Sequence, residues 1–131
     1  MDVERVADGL WRWTAAHEIH GVYYEAPDAV VLFDPPVPAG DEERFFAYLD
    51  RDVERLDLSV SILLTTPRHE RGAPILRERY GATDRIPDTV EAYPVEEEIA
   101  YFIRPHKALV VAARNARPAV ELPVERELAL G

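Results

Sequence analysis

Apolar positions along this chain recur with two different periods, and the change of period marks its elements. Near the amino terminus Val3, Val6, Leu10, Trp11 and Trp13 read as a first strand from Val3 to Thr14, with Asp8-Gly9 supplying a turn before Leu10. Residues two apart share a strand face, so Trp11 and Trp13 are expected to cover the core together. The stretches from Gly21 to Glu25 and from Ala29 to Asp34 are β-branched and aromatic, and Ala26-Pro27-Asp28 between them is turn chemistry, the pattern of a hairpin. The second of these is apolar on both faces, which predicts a central strand. Pro35-Pro36 cannot extend its ladder, and Asp34 is left as a carboxylate at the strand's end.

The period then becomes helical. Phe45, Leu49, Val53 and Leu56 recur on one face, and Glu42 and Glu43 lie in a first turn whose dipole favours negative charge, so Asp41 to Leu56 is a helix. Val60, Ile62, Leu63 and Leu64 form a buried strand that stops at Thr65-Thr66-Pro67, where Thr66 can cap the next turn or helix. Strand, helix and strand make a crossover between parallel strands, whose carboxyl ends are where α/β proteins place ligands. The charged turn Arg68-His69-Glu70-Arg71 leads through Gly72 to a short helix from Pro74 to Arg79, closed by Gly81. Strands are expected from Thr89 to Tyr93, from Glu98 to Arg104 and from Ala108 to Ala113, with a turn at Pro105-His106-Lys107. For the tail, 114–131, an edge strand, a swapped arm and a frayed end all remain open. The whole, 1–131, reads as one domain.

Composition narrows the function classes. With 131 residues and 47% hydrophobic content the chain can bury a core without staples, and no run approaches the roughly 18 apolar residues of a membrane span. The segment Met1 to Gly9 has neither the basic nor the apolar region of a secretory signal. No cysteine is present, so a metal would have to be held by histidines and carboxylates, and a reducing, cytoplasmic setting is expected. A net charge of −10 argues against nucleic acid and anionic membrane surfaces as partners. Lys107 is the one lysine among 15 basic residues; this arginine bias reads as coding composition rather than chemistry.

The order of the pieces resembles the amino-terminal half of the metallo-β-lactamase superfamily. Gly9-Leu10-Trp11-Arg12-Trp13, Ala29 to Asp34, Ile62 to Ala73 and Pro105 to Val111 carry the likeness, over roughly residues 3 to 113. The resemblance implies an α/β fold, a mixed sheet with helices on one side, truncated relative to the family's four-layer αββα sandwich. A single sheet with an uncovered face would expose too much apolar surface, so a homo-oligomer, most simply a homodimer, is expected. In the family the strand ends in Thr-His-x-His-x-Asp-His, and those side chains hold zinc or iron that activates water. Aligned on Thr65, this chain has Thr66 and Arg68 in place of the first two histidines, Glu70 for the aspartate and Arg71 for the last histidine. Arginine repels a cation, so neither a metal nor another cofactor is expected. By the same resemblance Asp34 would orient the turn from below, an Asx-turn over Pro35-Pro36 being the plainer alternative.

The charged turn admits three readings. It is a helix entry whose charges cap, pair and solvate. Alternatively, it is a pocket with altered chemistry: His69 and Glu70 act as a catalytic acid/base pair, and Arg68, Arg71, Asp34 and Thr66 bind a small anionic ligand. A third reading builds a metal site from His69, Glu70 and a distant His17 or His106. His17 and His20 otherwise read as loop residues, and Asp34 is expected to form a salt bridge with Arg71 or Arg68 that replaces the lost metal. Two function classes result: a binding or structural domain without a complete metal centre, or an ester or thioester hydrolase with an atypical site.

Overall fold

In the computed structural model, which describes residues 1–114 and 116–131, the chain forms two mixed sheets and two helices. Strands β1 (Asp2–Ala7), β2 (Leu10–Ala16), β3 (Ile19–Glu25) and β4 (Ala29–Phe33) form an antiparallel meander. The segment read as one strand from Val3 is therefore two, folded at Asp8-Gly9 with Gly9 at φ +71°. Helix α1 (Glu42–Leu56) then carries the chain to β5 (Ser59–Leu63), which pairs with β4 in parallel. All five residues of β4 are buried, as its unbroken apolar run requires.

Helix α2 (Ala73–Tyr80) begins one residue earlier than expected and ends at Gly81 in the left-handed conformation. It is clamped to α1 by Asp50, which accepts from Arg79 Nε at 2.9 Å and from the Tyr80 hydroxyl at 2.6 Å. Both helices pack on one face of the first sheet, as expected: Phe45, Leu49 and Leu76 lie against Trp13, Tyr23, Val30, Leu32, Val60 and Ile62. Among the described residues no helix is long and apolar enough to cross a membrane.

The later strands do not extend that sheet. β6 (Val90–Val95), β7 (Glu98–Ile103) and β8 (Ala108–Val111) are antiparallel, and β9 (Arg126–Ala129) pairs with β8 in parallel, the edge-strand outcome for the tail. This second sheet lies on the first. Leu10, Val22, Tyr24, Val31, Phe33 and Leu63 meet Val90, Tyr101, Ile103, Val110, Leu128 and Leu130 in one cluster. Period-two alternation explains the arrangement: neighbours such as Val30 and Val31 point to opposite faces, one toward the helices and one toward the second sheet.

The uncovered face that led to the expected homodimer is therefore covered by the chain itself, which removes that ground for pairing. The outer face of the second sheet, where the αββα sandwich would carry helices, is covered by Ala116, Leu122 and Val124 from the tail, packed on Phe102, Leu109 and Val111.

Candidate functional site at the strand ends

β4 and β5 end together, with Phe33 opposite Leu63, so Asp34 and Thr65 leave the sheet at one edge. Asp34 has φ +46°, a left-handed conformation that aspartate tolerates better than most residues. Its main-chain N–H donates to Leu63 O at 3.1 Å. Its fully buried carboxylate needs donors, and three supply it. The Thr65 N–H donates to Oδ1 at 2.7 Å, the Thr65 hydroxyl to Oδ2 at 2.5 Å, and His69 Nδ1 lies 2.9 Å from Oδ2. A carboxylate only accepts, so the shared proton sits on Nδ1.

The second sheet reaches this edge as well. Ile99 N–H donates to Thr65 O at 2.8 Å, and the Tyr101 hydroxyl donates to Leu64 O at 2.9 Å. Burial, with smaller contributions from the charges of Asp34 and Asp84, pushes the Tyr101 phenol up to about 12. Between these strands the turn tightens into a single 3-10 turn, Pro67–His69, with Thr66 Oγ1 accepting from the Arg68 N–H at 3.4 Å.

Arg71 is the centre of the edge. Half-buried at φ +48°, it donates from NH1 to His20 O at 2.6 Å and Asp34 O at 3.0 Å, and from NH2 to Leu130 O at 2.6 Å. One guanidinium thus joins β3, the end of β4 and the residue after β9, segments drawn from both sheets. Burial lowers the Arg71 pKa and the Asp34 charge opposes the shift, but a guanidinium stays charged at any ordinary pH. Gly72 lets the loop come this close. Its N–H donates to Pro35 O at 2.9 Å, and a Cβ there would lie 2.6 Å from Val37 Cγ2.

The structure brings together only part of the predicted set. Asp34 and His69 meet directly. The expected salt bridge is corrected: Arg71 binds the main-chain carbonyl of Asp34, whose carboxylate is filled by Thr65 and His69. Arg68 is exposed and turns to Glu98 at 3.1 Å, so it does not join Arg71 in a fork for an anion. Glu70 is exposed, and among the described residues its side chain makes no hydrogen bond or ion pair, so no His69–Glu70 acid/base pair is assembled.

The other histidines stay apart. His17 is exposed; His20 Nδ1 lies 2.9 Å from Thr14 Oγ1; His106 packs edge-on to Tyr24 with ring centroids 5.6 Å apart. Burial lowers the pKa of His20, helped by the Arg12 and Arg71 charges, and burial with the Arg126 charge lowers that of His106. Of the residues that sequence reasoning missed, His20 and Leu130 act through main-chain oxygens, which leave no mark in side-chain identity, whereas Thr65 and Tyr101 act through hydroxyls whose partners only the fold brings near.

These residues do not fit a metal ion. Among the described residues no three His, Asp or Glu side chains converge. The Arg71 guanidinium lies on the carbonyls of the site, where its charge would repel a cation. His69 Nδ1 is engaged by Asp34, and Gly131 crowds the other ring nitrogen, since a Cβ there would lie 2.8 Å from Nε2.

No protein-family model matches the chain, and no curated protein matches it in sequence. In three dimensions it is similar to VMB-1, at 10% identity over 83% of this chain and 68% of that one, with a TM-score of 0.54. It is likewise similar to the DIM-1 metallo-β-lactamase, at 11% identity over 83% of this chain and 67% of that one, with a TM-score of 0.50. At these identities the likeness shows the fold, and the chain has the metallo-β-lactamase fold.

Proposed function

We propose that this chain is a binding domain on a metallo-β-lactamase scaffold, in which an arginine clasp replaces the metal centre as the element holding the strand ends together. The observation that carries the reading is Arg71, donating to the carbonyls of His20, Asp34 and Leu130 at the position the family gives to a ligand histidine. A cation and a guanidinium cannot share that space, because both need the same oxygen lone pairs and repel each other. Zinc titration followed by calorimetry tests it. The expected result is no saturable heat at micromolar chain; stoichiometric binding that disappears in Asp34→Asn overturns it.

A hydrolase reading keeps one point of support. His69 is held by Asp34 at 2.9 Å, the orientation a general base needs. Against it, Gly131 crowds the Nε2 side of the ring, where even a Cβ on Gly131 would come within 2.8 Å of Nε2, and among the described residues Glu70 makes no hydrogen bond to His69 that would complete an acid/base pair. Turnover of p-nitrophenyl acetate or a simple thioester that is lost in His69→Gln would establish this reading. Activity no higher than buffer in both proteins would end it.

A further inference from the structure

The first sheet is five strands wide, about 20 Å at the usual strand spacing, whereas one helix covers about 10 Å. α2 has its helix-to-strand contacts at β5, and α1 sets Phe45 against Trp13 of β2, in one cluster with Tyr23 and Leu32. Between α1 and strands β1 to β3 a cavity of about 330 Å³ remains, with Val3 of β1 exposed at its edge. That volume falls at the lower end of small-molecule sites, which are apolar and aromatic with a few placed polar groups.

Its walls are Trp11, Trp13, Tyr23 and Phe45. Trp11 and Tyr23 are direct cross-strand partners, so their rings stand side by side. Trp13 lies over Gly21, where a Cβ would come within 2.6 Å of its ring, and is fixed by its indole N–H donating to Pro36 O at 2.9 Å. The ring is thereby held down on the sheet, which keeps the cavity open. Phe45 closes the helix side, 5.6 Å from Trp13 between centroids.

The mouth is cationic on a chain whose net charge is −10. Arg44, Tyr48 and Arg51 stand at i, i+4 and i+7 on α1, all lining the cavity, with the guanidinium carbons 5.7 and 5.1 Å from the Tyr48 ring centroid. Both guanidinium groups stand against the one exposed ring, so the two cations border the same mouth and favour an anion there. Neither arginine is neutralised at close range. Arg44 makes no ion pair among the described residues, and Arg51 has Asp52 only at 4.0 Å. Asp52 also lines the cavity, and its closer partner is Arg55 at 3.3 Å.

We infer that this cleft between α1 and strands β1 to β3 binds an aryl carboxylate, the ring system against Trp11, Tyr23 and Phe45 and the carboxylate held by Arg44 and Arg51. A planar carboxylate suits guanidinium donors, and flat rings suit four aromatic walls. The inference rests on the binding role proposed above and supplies its ligand class. It shares no residue with the strand-end clasp, so a failed ligand titration leaves the metal question untouched, and bound metal leaves the cleft untouched.

The test is isothermal titration with 2-naphthoate and its neutral counterpart 2-naphthylmethanol, with the two indole N–H resonances as a local reporter. The expected result is one saturable naphthoate site that shifts the Trp11 signal. Affinity should fall roughly tenfold or more in Arg44→Met/Arg51→Met, the loss expected for charge-assisted hydrogen bonds. The neutral alcohol should bind more weakly and be indifferent to that change. Val3→Trp, which fills the cavity from a half-exposed position on β1, should remove both. Absence of saturable binding at millimolar naphthoate, or an affinity that neither variant alters, overturns the inference.

Discussion

Asp34 and Arg71 carry the strand-end site, and each makes a sharp prediction. Asp34→Asn keeps the size of the side chain but replaces one acceptor oxygen by a donor against three groups that donate. An unsatisfied buried group of this kind costs about 2–3 kcal/mol, so the urea midpoint should fall clearly, and an unchanged midpoint would refute the role given to Asp34. Arg71→Met removes donors to three carbonyls at once, for an expected loss of about 2–4 kcal/mol, less than a simple sum because the site is only half-buried. Arg71→Lys should recover little of it in the same urea measurement, since an ammonium lacks the guanidinium's planar fork. The sequence marked the turn Arg68-His69-Glu70-Arg71 as special because four titratable side chains come directly after a buried strand. It did not show which of them turn inward. That choice depends on the left-handed backbone at Arg71 and on carbonyls brought from residues 20 and 130, and neither leaves a side-chain signature.

At the scale of elements, local pattern was enough wherever the partner is near in sequence. The hairpin of β3 and β4, the extent of α1 and the close of α2 at Gly81 all come from periodicity and turn chemistry. The division into two sheets did not, because β4 and β8 are both short apolar runs and nothing local says which strands each will pair with. α1 also offers a stabilising change. Its C-cap, Asp57, is exposed and left-handed at φ +51°, with its N–H returning to Val53 O. Asp57→Gly should relieve that backbone at no cost in contacts and raise stability by about 0.5 kcal/mol, read as a higher urea midpoint with an unchanged slope.

For the whole molecule, the layers run helices, sheet, sheet and tail. Two histidines within these layers set a pH response. His20 and His106 have folded pKa values below the ordinary 6.5, lowered chiefly by burial. As pH falls through 6.5 the unfolded chain takes up protons that the folded chain refuses, so their contribution is complete above about 6.5 and is lost below it. The unfolding midpoint should accordingly be lower at pH 5.5 than at pH 7.5, and His106→Gln should flatten that slope; a midpoint that rises on acidification would contradict the assignment. At this same scale stands the central claim, that the metallo-β-lactamase fold is held at its strand ends by a guanidinium instead of a metal. The most direct measurement is the metal content, by plasma mass spectrometry, of the chain purified without chelators. Zinc, iron and manganese should each stand far below one atom per chain, whereas stoichiometric metal that is lost in His69→Gln or Asp34→Asn would contradict the claim.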